Sequence, residues 1–309
     1  MISCTEFIPS YSELFNYLEN KFGHEEVTKY WTYLFDPTKS ALYEHLRKSG
    51  IRGCYNYWTH TLNEEAADFT MYLNEKRGFF MIKMHHCPSK GRLLEMQSKI
   101  GVPPYHSYCL HCDYYRLSAE ACGFGYMYDF EGVEHAACSL MIYDPRIFDG
   151  RFIIDDDTEI MDRKAADNEY FHPDFHGALN SGIEYLGSNY GEEAVREYMT
   201  QFATRVYGNI SEAVKENGLA VLEEKILDTY AQDKAPEAVH TCLDGDTLAV
   251  TVDWCPAVRY LTSKGVTMTK WYAATTDVVM ETVAKNAGYM FSMDAYDAKT
   301  GAAKYRFWK

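Results

Sequence analysis

Two short stretches concentrate the nucleophiles, bases and soft metal ligands of this chain. They are His85-His86-Cys87-Pro88 and Tyr105-His106-Ser107-Tyr108-Cys109-Leu110-His111-Cys112-Asp113. Pro103-Pro104 should set the start of a helix, with Ser107 as its N-cap. Cys109 then falls in the first turn, where free N–H groups and the helix dipole favour a thiolate. Cys112 lies three residues on and Asp113 four on, so both share a helix face with Cys109. His106 lies three residues before Cys109, just outside the helix. The pattern suits a thiol nucleophile: Cys109 attacks, His106 or His86 is the base, and Asp113 orients it.

The strand before Cys87 must position His86. Strict alternation puts His86 on the apolar face with Phe80, Ile82 and Met84, and His85 on the other. The same residues admit a second chemistry: Cys87, Cys109, Cys112 and His86 would make a Cys3His zinc site. A Cys-x-x-Cys inside a helix, with no second such pair, argues against it. A third reading is a non-catalytic binding module in which tyrosines, Trp254 and Trp271 line a pocket. His172 and His176 are four apart, but Pro173 places His172 before the helix. A capping or surface histidine is the simpler reading there. No Walker loop, Gly-x-Ser-x-Gly elbow or His-Glu-x-x-His occurs, and Gly123-Phe124-Gly125 leads from a helix into a strand, the reverse of a phosphate-cradling loop.

The elements that hold these residues recur. Tyr17-Leu18, Phe22-Gly23-His24-Glu25, Val27, Tyr30 and Thr32 align with Tyr185-Leu186, Tyr190-Gly191-Glu192-Glu193, Val195, Tyr198 and Thr200. The same offset pairs Gly50 with Gly218 and Cys87-Pro88 with Cys255-Pro256, and after a short deletion Gly125-Tyr126-Met127 pairs with Gly288-Tyr289-Met290. The sequence therefore reads as a repeat at 1–145, an acidic connector at 146–170 draped over the surface, and a degenerate repeat at 171–309. Each repeat reads as amphipathic helices, a hairpin, a Cys-Pro, a short and a longer helix (104–121, 269–286), and two closing strands. The fold class is α+β, with a four-stranded antiparallel sheet in each repeat and helices on one face. In the second copy His86 becomes Trp254 and Cys109 falls near Tyr272, whereas Cys87 persists as Cys255. That contrast marks Cys87 and Cys255 as packing residues and Cys109 as reactive.

The chain has 309 residues, net charge −15, nine cysteines and 26 tyrosines. Dispersed acidic charge argues against nucleic acid or an anionic membrane as partner, since both need clustered Lys and Arg. No run of eighteen apolar residues and no signal-like start is seen, so a cytoplasmic protein with reduced thiols is expected. The partner expected is a small-molecule substrate. No cofactor is expected, zinc being the alternative, and the oligomeric state stays open.

Asp174-Phe175-His176-Gly177-Ala178-Leu179, Tyr190-Gly191-Glu192-Glu193 and Cys255-Pro256-Ala257 resemble the L-2-amino-thiazoline-4-carboxylic acid hydrolase family. So do Tyr108-Cys109-Leu110-His111-Cys112-Asp113 and Gly125-Tyr126. The resemblance covers most of both halves. It implies a hydrolase that opens a small cyclic thiazoline or amidine at a non-peptide C–N bond. Members carry a cysteine at the start of the longer helix, which here is Cys109 and in the second half is replaced by Tyr272, so one working site per chain is implied.

Overall fold

In a computed structural model, which describes residues 1–309, the first half forms α1 (Phe7–Phe22), α2 (His24–Leu34), α3 (Ala41–Ser49) and α4 (Arg52–Glu64). Next come the hairpin β1 (Asp68–Asn74) and β2 (Phe79–His86), α5 (Pro88–Ile100), α6 (Tyr115–Ala121), β3 (Gly125–Asp129), β4 (Cys138–Tyr143) and β5 (Glu159–Arg163). The second half forms α7 (Phe175–Tyr190), α8 (Glu192–Val206), α9 (Gly208–Asn217), α10 (Leu219–Gln232), β6 (Val239–Asp244) and β7 (Thr247–Val252). It closes with α11 (Pro256–Ser263), α12 (Asp277–Ala287), β8 (Met290–Tyr296) and β9 (Ala303–Trp308). The α+β class holds, with two antiparallel sheets. No helix is long and apolar enough to cross a membrane. The helices are separated at Gly23 and Gly50, which adopt φ values of +91° and +59°. Only glycine takes such angles without steric cost.

The chain divides into two compact units. One contains Phe22–Met96 and Pro103–His172; the other contains Met1–Lys21, Gln97–Val102 and Pro173–Lys309. The first helix thus belongs with the second half of the sequence. Local contacts explain it: Phe7 stacks on Phe175 with centroids 4.7 Å apart, and the Tyr198 hydroxyl donates to the Ser10 carbonyl at 2.7 Å. Arg205 meets the buried Glu13 carboxylate at 2.9 Å.

In the Phe22–His172 unit the sheet order is β3-β4-β2-β1-β5, five strands rather than the expected four. The extra strand comes from the segment read as a connector. Its acidic run is charge-complementary to the β1–β2 turn: Asp155 meets Arg77 and Asp157 meets Lys76, each at 2.6 Å. Asn74 donates to Asp155 at 2.8 Å, and Arg52 bridges Glu75 and Glu159. Those anchors lay β5 along β1, pairing Met71 with Met161. One sheet face builds the core: Phe69, Met71, Leu73, Phe80, Ile82, Leu140 and Ile142 pack with Leu46, Trp58, Leu62 and Ala119. On the other face Phe152 lies against Phe79 and Tyr72.

In the other unit the order is β6-β7-β9-β8. Leu248, Val250 and Val252 alternate inward from β7, and Ala303, Tyr305 and Phe307 from β9, as a half-buried strand requires. Gly288, at φ +81°, caps α12 in the left-handed region.

Candidate active site

The stretch after Pro104 is not one α-helix. Tyr108–Tyr114 forms a 3₁₀ helix, and α6 begins only at Tyr115. His111 Nδ1 contacts the Tyr108 carbonyl, and the Tyr126 hydroxyl donates to the Cys112 carbonyl at 2.7 Å. These side chains occupy backbone carbonyls that α-helical bonding would use, and i→i+3 pairing results. Ser107 does not cap the turn; its hydroxyl faces His106 Nδ1 at 2.6 Å instead.

The change in helix type changes the faces. With three residues per turn, Cys109 and Cys112 remain aligned, whereas Asp113 rotates away from Cys109 and toward Arg116. The Asp113 carboxylate indeed lies 3.8 Å from Arg116 Nε. His106 is exposed and packs on Tyr105.

His86 is also exposed, which corrects the inward placement. The register of β1 against β2 slips between Asp68 and Phe69: Phe69 faces Met84 while Asp68 faces His86. His85 is the extra residue of that bulge, and a bulge resets alternation. His85 Nε2 then contacts Thr70 Oγ1 at 2.7 Å, and His86 lies over Gly91 of α5, where a Cβ would sit 2.3 Å from its Nε2.

What comes together is a group of thiols. Cys87 follows β2, Cys138 opens β4 opposite Met84, and Cys109 and Cys112 project from the 3₁₀ turn. All four are half-buried, and no cysteine of the chain is in a disulfide. Cys87 Sγ accepts the Lys90 backbone N–H at 3.5 Å, capping α5, which fits a packing role. Burial pushes the Cys109 thiol up to about 11; the Lys90 ammonium pulls against this, and Cys138 and Glu134 add to the rise. Burial likewise lifts Cys112 well above its usual range, reinforced by Cys109, Cys87 and Cys138, while the Tyr128 hydroxyl opposes the rise. Cys138 is raised by burial and lowered by Tyr128.

Two residues missing from the sequence-derived set stand out. His111 is pushed down to about 4 by burial, with its bond to Tyr108 opposing, so its imidazole is neutral near pH 7. A carbonyl can only accept, so Nδ1 carries the proton. Nε2 therefore turns its lone pair toward Cys112 Sγ, 3.6 Å away. The thiol–imidazole contact within the cluster is thus Cys112–His111. Lys90, in the first turn of α5, is buried at 5 % exposure and takes part in no ion pair. A signal for it was available: at the repeat offset Lys90 aligns with Val258, so the cation belongs to one half only.

His172 and His176 do not pair with each other. His172 Nδ1 contacts Glu64 at 2.6 Å, and His176, buried rather than at the surface, lies 3.3 Å from Asp233. Trp271 covers Gly187 in α7, and Trp254 lies under Arg259. Chemically, the thiol cluster offers a protonated thiol under a cationic amine, a neutral imidazole beside a second thiol, and phenols from Tyr108, Tyr126 and Tyr128. Comparison with protein-family models, curated proteins and solved structures finds no match to this chain.

Proposed function

We propose that the thiol cluster is the active site of a hydrolase acting on a small cyclic C–N bond of thiazoline or amidine type, with Cys109 as nucleophile. The observation that carries this reading is the unpaired, buried Lys90 acting on the half-buried Cys109 thiol. A buried ammonium without a counter-charge is costly, and such sites are commonly completed by an anion. A substrate carboxylate supplies that charge, and the developing Cys109 thiolate is stabilised by the same cation. His111 and Cys112 stand as the proton-handling pair, a role first given to His106, His86 and Asp113.

The chemistry balances without a cofactor. Sγ of Cys109 bonds to the amidine carbon while the thiol proton moves to the ring nitrogen. The ring C–N bond breaks with its electron pair on nitrogen, which takes a second proton from the exocyclic amino group. Water then adds to the carbon, the bond to Sγ breaks, and the proton returns to the thiol. Incubation with 2-aminothiazoline-4-carboxylate and related cyclic amidines tests this: turnover is expected in the wild type and lost in Cys109→Ala. Turnover that survives Cys109→Ala removes the nucleophile assignment.

The chain is read as an internal duplication with one active copy, in a cytoplasmic protein. Supporting this, α7 starts and ends at the α1 bounds plus the offset that separates Cys255 from Cys87. Gly191 and Gly218 repeat the positive φ of Gly23 and Gly50. The orders β1-β2-β4-β3 and β6-β7-β9-β8 correspond strand for strand, and both halves reach their long helix through a 3₁₀ turn, at Tyr108–Tyr114 and Tyr272–Thr275.

A further inference from the structure

A second cluster lies in the other unit. Cys4 sits in the 3₁₀ turn Cys4–Glu6, His176 in the first turn of α7, and Asp233 at the C-terminal cap of α10. Their ligand atoms all fall within 4.8 Å of one another, and all three residues are buried. The four residues read from sequence as a zinc set do not form such a group. His176 Nε2 is already 3.3 Å from Asp233 Oδ2, so two of the three ligand atoms are in direct contact. A thiol, an imidazole and a carboxylate thus meet in one buried group.

We propose that Cys4, His176 and Asp233 bind one zinc-class divalent transition-metal ion, with its fourth position left to a non-protein ligand. Tetrahedral zinc with bonds of about 2.0–2.3 Å sets its ligands roughly 3.5 Å apart. The His176–Asp233 edge is near that spacing at 3.3 Å, and the remaining edges, all within 4.8 Å, close by at most about 1.3 Å. The mixed S, N, O donor set suits zinc or cobalt and not magnesium or calcium. The carboxylate is pre-oriented: Asp233 Oδ1 accepts from Ser3 Oγ at 3.1 Å and from the Cys4 backbone N–H at 3.0 Å. Outer contacts of this kind fix ligand geometry. The burial of all three residues marks a closed, structural site. The ion joins three separate chain segments, the turn before α1, the start of α7 and the end of α10, into one body.

The test uses the full chain, stripped with a chelator and titrated with cobalt(II). One equivalent is expected to produce a thiolate-to-cobalt charge-transfer band. Cys4→Ser should abolish the band, Asp233→Asn should weaken binding at least tenfold, and Cys109→Ser should leave the band unchanged. X-ray absorption of the wild-type zinc complex covers the case in which a variant fails to fold, and should show one sulfur with nitrogen and oxygen ligands. No band, a band retained in Cys4→Ser, or several sulfurs around the zinc would each overturn the proposal.

Discussion

The ammonium of Lys90, in the first turn of α5, acts on the thiol of Cys109, in the 3₁₀ turn, across a break in the helical structure between them. Neither residue's role is set by its immediate neighbours. Lys90→Met keeps the apolar stem and removes the charge, so the Cys109 thiol should rise further, by about one pKa unit. The rate of iodoacetamide alkylation at Cys109 should fall roughly tenfold at fixed pH. Stability should hold or improve by about 1 kcal/mol, because a buried unpaired charge is gone. A variant that loses reactivity without losing stability separates a functional lysine from a structural one.

Acid should destabilise the unit containing His111. Its imidazole titrates near 6.5 when unfolded and at about 4 when folded. Between those values the unfolded chain binds more protons, so stability falls as pH drops from about 6.5 and levels off below about 4. His111→Phe should flatten that part of the urea-midpoint profile. An unchanged slope would show that other groups control it.

Two glycines predict different costs. A Cβ at Gly91 meets the far end of the exposed His86 ring, which can swing away. Gly91→Ala should therefore cost only about 1 kcal/mol, and Gly91→Ala with His86→Ala should recover most of it. A Cβ at Gly301 meets Cys255 Cβ at 2.3 Å, and φ there is +68°. Gly301→Ala should cost about 3 kcal/mol or more, since backbone strain and a fixed neighbour combine. Thermal melts of the three variants give the comparison.

Trp58, on the buried face of α4, stacks on Phe80 at 5.4 Å. Trp58→Ala should destabilise the fold by about 3–5 kcal/mol, the usual range for emptying such a site. Denaturant unfolding followed by circular dichroism would register it; a loss below about 1 kcal/mol would mean the core collapses around the gap.

The hairpins and the α+β class were legible because each depends on local pattern: period-two apolar residues in the strands and turn residues between them. The bulge at His85 was not, since it depends on how β1 meets β2, and it moved His86 to the surface. The 3₁₀ turn was equally hidden, because it follows from His111 and Tyr126 occupying carbonyls of Tyr108 and Cys112. That single departure turned Asp113 away from Cys109. β5 was missed because charges on the distant β1–β2 turn hold it. Lys90 and Cys138 join the site only through the fold, although the repeat offset already distinguished Lys90 from Val258.

The central claim is that Cys109 forms a covalent intermediate. Intact-protein mass spectrometry during turnover of 2-aminothiazoline-4-carboxylate, with peptide mapping of the quenched adduct, tests it directly. The account predicts an adduct on Cys109, absent in Cys109→Ala together with turnover. Undiminished turnover in Cys109→Ala, or an adduct mapped to another residue, would contradict it.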